Sequence, residues 1–402
     1  MPLAAALLAA ASSANAGISI PAGDWTLDIG GVVNAFYVST KAPGASSAAN
    51  IGTGLLPNVL SVSATTRQND LDVAFVIAID PGGYTSHALS GGGNQENRQA
   101  FFSFGDKSWG TIKLGKDLGI FASDAILNDM TLLGVGTGAP GAGVAAANGA
   151  TTLGGIGAGY IYADWKEQIA YTTPNMNGFQ ATVGVTQPYN TITALAGPAG
   201  GATSGLGGGS TPAFEGKASY DFSADAVKGR VWVSGLSQRL DGVTTVPTSY
   251  SLSATTGLVV AAGSVAKGSQ TANVEDIGAS LSASGFTLTG YYYNGSGVGT
   301  TGVMDNGLSS TGQKRDSNGG YVQATYVLPT ATKLGFAYGV SKLEAASVDS
   351  FTNYKNERMT FGAYHPLTKH VNLVAEYNNE RVSTNSVEAT TNTVALGGIL
   401  FF

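Results

Sequence analysis

The chain closes on Val394-Ala395-Leu396-Gly397-Gly398-Ile399-Leu400-Phe401-Phe402, a β-rich segment whose last residue is aromatic. In an extended strand successive side chains point to opposite faces, so Val394, Leu396, Leu400 and Phe402 share one. A terminal strand leaves an open edge, and in water such an edge invites pairing with other chains. In lipid the penalty is larger, because unpaired backbone groups find no water there. Closure removes the edge: the last strand pairs with the first and its apolar face meets lipid.

The remainder of the sequence agrees with that restriction. Leu3–Ala11 is an apolar run of Ala and Leu, and Ala14-Asn15-Ala16 has the form of a cleavage site. Residues 1–16 therefore read as a signal peptide and residues 17–402 as one mature domain, although the usual positive n-region is missing. The alternative is an apolar, Ala-rich helix of the mature protein. No later stretch reaches the ~18 apolar residues of a membrane helix. Charged residues make up 11%, against the ~25% usual in soluble domains. Low charge with abundant Gly, Thr, Ser and Tyr suits strands that face lipid on one side and water on the other. There is no Cys, which excludes disulfides and thiol chemistry. The net charge of −6 argues against a nucleic-acid partner.

Period-two segments recur between Gly-rich connections. Trp25, Leu27, Ile29, Val33 and Tyr37 share one face of the first, with Thr26, Asp28 and Asn34 on the other. Leu71, Val73, Phe75, Ile77 and Ile79 form the apolar face of another. Phe179, Ala181, Val183 and Val185 do the same, as do Phe286, Leu288 and Tyr292, and Val371, Leu373, Ala375 and Tyr377. With weaker segments the pattern predicts strands starting near residues 25, 57, 70, 98, 109, 165, 178, 213, 228, 273, 286, 319, 333, 355, 371 and 391. An even count suits an antiparallel bacterial barrel. Near Phe101-Phe102 and Trp232 apolar residues fall on both faces, so the inward side stays open there. Short turns such as Ser284-Gly285 alternate with long connections such as Asp117–Asp164, the asymmetry of periplasmic turns and extracellular loops. The expected fold is an all-β, sixteen-stranded antiparallel transmembrane barrel with long outer loops. No linker and no 20–50-residue repeat divides it.

Residues 98–130, RQAFFSFGDKSWGTIKLGKDLGIFASDAILNDM, resemble the general porins of Gram-negative bacteria. Those carry an Arg-led strand, a tight turn, a strand ending in Gly-Lys or Gly-Arg, and a long loop with a short helical stretch and an acidic residue. TLDIGGVVNAFYV (26–38), EQIAYTTPNMNGF (167–179) and YHPLTKHVNLVAEY (364–377) are similar to further strands of the β-proteobacterial type. The resemblance implies a homotrimeric, water-filled pore in the outer membrane, in contact with its lipid and lipopolysaccharide. It also implies a third loop that folds inward, and basic wall residues facing acidic loop residues across the constriction. Lys116 matches the basic wall position and Asp129 a loop carboxylate. Ala170, the Arg-free second strand (58–64) and Leu132-Leu133 depart from the family's charged pattern, which implies a thinned constriction.

The residues themselves leave several assignments open. Lys113 is inward by parity. Ile112 and Leu114 share the parity of Lys116, so alternation aims Lys116 at lipid where the resemblance aims it at the pore. Asp124 sits where it could cap the helix or line the pore. Arg98 is a candidate wall residue, but Phe102 and Phe104 share its parity. Asp28, Asp72, Glu215, Lys217, Glu376 and Arg358 read as ordinary wetting of the lumen. Gly136–Gly141 fits G-x-G-x-x-G without a β-α-β unit around it, so no nucleotide site is expected. His365 and His370 lack a third ligand for zinc. No catalytic constellation, cofactor or metal site stands out. The expected function is passive diffusion of small hydrophilic solutes and ions, weakly selective for cations. A substrate-selective channel using Tyr291 and Tyr293 as an aromatic track, and a non-conducting adhesin or structural barrel, are the alternatives.

Overall fold

The computed structural model describes residues 17–81, 95–138, 151–189, 207–208, 211–241, 243–244, 250–252, 259–261, 266–267, 269–302, 304–309, 312–347, 349, 351–385 and 387–402. The signal peptide expected over residues 1–16 lies outside them. Sixteen strands close into an antiparallel barrel. In chain order they are β1 (Trp25–Lys41), β2 (Val59–Gln68), β3 (Leu71–Pro81), β4 (Gln95–Asp106), β5 (Gly110–Leu118), β6 (Trp165–Thr172), β7 (Phe179–Thr186) and β8 (Ala213–Ala224). They continue with β9 (Val227–Asp241), β10 (Gln270–Ala283), β11 (Phe286–Ser296), β12 (Asp316–Val327), β13 (Lys333–Glu344), β14 (Asn353–Pro366), β15 (Val371–Thr384) and β16 (Val387–Phe401). Each pairs with the next. β16 returns to β1, from Val32↔Phe401 to Lys41↔Asn392. Every strand begins within four residues of its expected start.

The period-two reading fixes the faces. Val33 is 55% exposed and Tyr37 47%, while Asn34, Phe36 and Val38 between and beyond them are buried. The two ambiguous places resolve in the same way. Phe101 and Trp232 point inward; Phe102, Val231 and Val233 point out. β3 and β4 meet at a bulge, where pairing jumps from Ala78↔Gln99 to Asp80↔Glu96. Two residues of β4, Asn97 and Arg98, then stand against Ile79 alone.

The turns at one end are tight. Asn69-Asp70 and Ser284-Gly285 both adopt positive φ, the hairpin geometry that matches strand twist. The last residue and the first described ones lie at this end. A short strand that the sequence did not announce, Ile18–Ala22, pairs with the start of β1, from Ile18↔Ile29 to Ala22↔Trp25. Phe402 takes over directly above it, exchanging both backbone hydrogen bonds with Gly31 at 2.8 and 3.1 Å. The two termini thus cover one edge of β1 between them. A Cβ on Gly31 would sit 2.3 Å from the Val59 carbonyl oxygen and 2.7 Å from the Phe402 ring. Only glycine lets the terminal ring lie against the strand.

The lumen is not uniformly polar. The described residues of the third loop, 119–138 and 151–164, fold into the barrel, with a one-turn helix α1 (Ser123–Leu127) and a 3-10 turn (Met130–Leu133). Its Met130, Leu133 and Val135 pack on inward Val32, Phe36 and Val374. Its Phe121, Ile126 and Tyr160 pack on Trp232, Tyr291 and Tyr321. The barrel therefore has a hydrophobic core inside it, made where loop meets wall.

Candidate channel constriction

Two wall carboxylates hold the two ends of the loop's inward limb, residues 120–136. Glu215 of β8 accepts the N–H groups of Ile120 (2.8 Å) and Phe121 (2.9 Å), and also pairs with Lys166 and the Thr186 hydroxyl. Glu376 of β15 accepts the N–H groups of Val135 (2.9 Å) and Gly136 (2.8 Å) and the Tyr364 hydroxyl (2.7 Å). Successive backbone N–H groups converging on one carboxylate are the strong, charge-assisted kind of hydrogen bond. Between these ends Ser234 accepts from Ala122, the Tyr321 hydroxyl donates to the Ala125 carbonyl, and Gln323 bonds both Met130 N–H and the Asn128 carbonyl. The return limb is held by Ser341, which accepts from Gly159 at 3.0 Å.

Charged side chains meet across this docked loop. Asp124 in α1 pairs with Lys217 of β8 (2.9 Å) and Arg230 of β9 (3.0 Å). It does not cap its helix, whose N-cap is Ala122. Burial favours the neutral acid, but Lys217 and Arg230 outweigh it and hold the Asp124 carboxyl below its usual range. The Lys217 and Arg230 side chains remain 22% and 38% exposed. Asp129 is buried; it caps the 3-10 turn through the Thr131 N–H (2.9 Å), accepts the Tyr160 hydroxyl (2.8 Å) and lies 3.6 Å from the buried Arg358. Burial pushes the Tyr160 hydroxyl well above its ordinary value, so it stays a donor.

The sequence-derived candidates separate. Asp124 and Asp129 both lie on the loop, the first against Lys217 and Arg230, the second against Arg358. Lys113 is inward, paired with Asp117 and 5.4 Å over the Phe101 ring. Arg98, at the bulge, pairs with Asp80 (3.1 Å) and Glu96 (2.9 Å). Lys116 stands in register with Ala100 and Glu167, on the face that carries exposed Phe102 and Ile169. That is the outer face, where alternation aimed it. The reading of Glu215, Lys217, Glu376 and Arg358 as simple wetting needs correction, since all four fasten the loop. Their inward parity was visible in the sequence. Their partners, backbone N–H groups and charges of a distant loop, carry no local signature. Tyr291 and Tyr293 are inward as expected but lie buried, with Tyr291 5.6 Å from the Tyr321 ring beneath the loop. Gly136–Gly141 falls partly outside the described residues, and its Gly136 N–H serves Glu376. Among the described residues no group of three or more His, Cys, Asp or Glu side chains is placed to hold a metal.

Two outer loops rest on the third. Leu55 N–H donates to the Gly134 carbonyl, and Thr152 N–H to that of Gly54. Tyr162 N–H donates to the Thr301 carbonyl at 2.8 Å. Val298, Met304 and Leu308 join the same buried cluster.

A family model described as Gram-negative porin matches residues 3–385. No curated protein sequence matches. Among solved structures the chain is similar to the outer membrane channel DcaP of Acinetobacter baumannii, at 14% identity and a TM-score of 0.63, over 96% of this chain and 100% of that one. It is similar to OmpT of Vibrio cholerae in its trimer form, at 14% identity and 0.56, over 94% and 99%. It is also similar to OmpF of Salmonella typhi in complex with daunomycin, at 13% identity and 0.56, over 96% and 100%. At such identities the structural likeness speaks to the fold.

Proposed function

The chain belongs to the Gram-negative porin family, and from that premise we infer how its channel discriminates. It is an outer-membrane protein that forms a channel for passive diffusion of small hydrophilic solutes. The barrel supplies a rigid hole, the third loop sets its bore, and fixed charges bias the ions that pass. The observation that carries this reading is the docking of the inward limb of the third loop at both of its ends, by Glu215 at residues 120–121 and by Glu376 at residues 135–136. A loop held so cannot swing freely, so it acts as a standing constriction.

At that constriction the proposed charge set is Asp124 and Asp129 on the loop with Lys217, Arg230, Lys113 and Arg358 on the wall. Arg98 contributes from the rim through its carboxylate pairs, and Lys116 lies outside the set. These charges are paired among themselves or with Asp117 and Asp221, so the transverse field is weak. The overall −6 then tips selectivity towards cations. OmpT of Vibrio cholerae occurs in a trimer form, and a homotrimer is proposed here as well. Residues 1–16 are proposed to be removed as a signal peptide, leaving residues 17–402 as the barrel. The test is a planar-bilayer recording of the purified protein across a salt gradient. Open, long-lived conductance with a small zero-current potential of cation sign is expected. Absence of conductance sinks the channel reading, and a strongly anion-selective channel sinks the charge assignment.

A further inference from the structure

Between the docked loop and the tight turns, the lumen wall of β9–β12 carries two rows of polar side chains set by register. In the upper row Arg230 faces Ser280, Ser280 faces Thr289 and Thr289 faces Gln323. In the lower row Lys228 faces Ser282, Ser282 faces Thr287 and Thr287 faces Thr325. The upper row is closed to solutes: Thr289 is buried and Gln323 holds the loop. The lower row is open, with Lys228 exposed and Ser282 and Thr287 half-buried. The hydroxyl oxygens of Ser282 and Thr287 lie 2.8 Å apart. Such a pair shares one proton, which leaves a second proton and spare lone pairs facing the lumen. On β10–β13 the inward positions from Ser280 to the turns include no acid.

Two lysines without a counter-charge bound this sector. Lys228 opens the lower row on β9. Lys333 stands on β13, two residues below Gly335, whose inner face meets the Met130 sulfur of the 3-10 turn. Lys333 therefore lies next to the loop on its tight-turn side. Its Nζ sits 5.0 Å from the centre of the Tyr364 ring. Neither lysine has an ion pair among the described residues. The other inward cations of the strands, from Arg67 to Arg358, are each paired with a carboxylate. Arg230, about 7 Å from Lys228 along β9, is committed to Asp124 and Asp221. A paired charge is largely cancelled a few ångströms away, whereas an unpaired one reaches across a Debye length.

We propose that the arc from Lys228 through Ser282 and Thr287 to Lys333 is a transient binding site for small hydroxylated anions, of the hydroxycarboxylate class, just beyond the constriction. The inference rests on the open-channel reading and names a solute class for it. Each lysine head receives a carboxylate, and the two hydroxyls exchange hydrogen bonds with the solute's own. At Lys333 the cation–π contact with Tyr364 takes the place of a carboxylate, so the charge stays free for a solute. Binding at single ammonium groups in water is weak, as conduction requires: a solute must be held and then released. The site is separate from the overall preference for cations, which follows the charge of the whole molecule.

The test is a planar-bilayer recording of the full barrel in potassium chloride with citrate added to either chamber. Brief, citrate-dependent interruptions of the current are expected. The double variant Lys228→Gln, Lys333→Gln is expected to keep a heat-resistant barrel and to lose the interruptions roughly ten-fold, the factor carried by one charge-assisted contact. Ser282→Ala with Thr287→Val is expected to shorten the dwell of citrate but not that of tricarballylate, which has the three carboxylates and no hydroxyl. A conducting wild type without interruptions, or a double lysine variant that shows them at the wild-type frequency, overturns the site. Calorimetric titration of the detergent-solubilised barrel with citrate tests the site without conduction. Lysine-dependent heat in a barrel that does not conduct keeps the site and sinks the channel reading; equal heat in wild type and double variant overturns the site.

Discussion

At the scale of single residues, Glu215 and Glu376 stand out because each gathers two consecutive N–H groups of the inserted loop. Charge-assisted hydrogen bonds contribute about 1.5–3 kcal/mol each. Glu376→Gln keeps the shape and loses the charge. It is expected to release Val135 and Gly136, raising single-channel conductance and current noise while the barrel stays heat-resistant. An unchanged trace would mean that the apolar contacts of Met130 and Leu133 suffice. Glu215→Gln is expected to be harsher, because it leaves Lys166 buried without its partner, a loss on the order of 3–5 kcal/mol. Selectivity belongs to the same scale. In a water-filled pore charges act over a Debye length of ~8–10 Å. Asp129→Asn strips Arg358 of its counter-charge and is expected to move the zero-current potential towards anions. Arg230→Gln, which leaves Asp124 with Lys217 alone, is expected to move it towards cations. Lys116→Gln, on the outer face, serves as the control; a shift as large as that of Arg230→Gln would place Lys116 in the pore after all.

At the scale of elements, the seam between β1 and β16 is the joint on which closure depends. The Phe402 ring lies on Gly31, and Phe402 shares both backbone hydrogen bonds with it. Deleting Phe402, or replacing Gly31 with Val, is expected to lower the yield of heat-resistant barrel in outer membranes. Normal assembly of both would remove the seam from the list of determinants. The sixth loop, residues 297–315, gives a pH signature of its own. The Asp305 carboxyl rises from 3.8 to about 7 on folding, through burial first and then through Asp164. A group whose folded pKa is raised binds more protons when folded. Its stabilisation is complete below 3.8 and is lost as pH rises through about 7. The heat midpoint of the wild type relative to Asp305→Asn is expected to fall across that window. Parallel profiles for the two proteins would show that Asp305 does not titrate there.

At the scale of the whole molecule, the barrel and its loops form one load path. The third loop is fastened to β8, β9, β12, β13, β14 and β15, and it carries the first and sixth loops on its outer side. Excising residues 134–155 removes the Glu376 contact and the Leu55 and Thr152 hydrogen bonds together, while β5 and β6 stay joined through the remaining loop. Higher single-channel conductance with an intact, heat-resistant barrel is the expected result. An unchanged conductance would place that segment outside the ion path.

The strands were legible because alternation is a local code. A residue's face follows from its parity, and a closed sheet in lipid must repeat that code in every strand, so sixteen starts could be read within four residues each. The seam was half legible: the apolar face of Val394, Leu396 and Leu400 pointed to lipid, but the Ile18–Ala22 strand and the place made by Gly31 depend on where two chain ends meet. The constriction was legible only as residue types on an inward face. Parity sent Lys217, Glu215 and Glu376 inward without saying what they would touch, since their partners on the third loop lie from 93 to 241 residues away and are largely backbone. Such contacts are created when the third loop enters the lumen. What decided that entry is the fit of Phe121, Ile126 and Met130 against inward apolar side chains of the wall, a property of the assembled barrel and of no single segment.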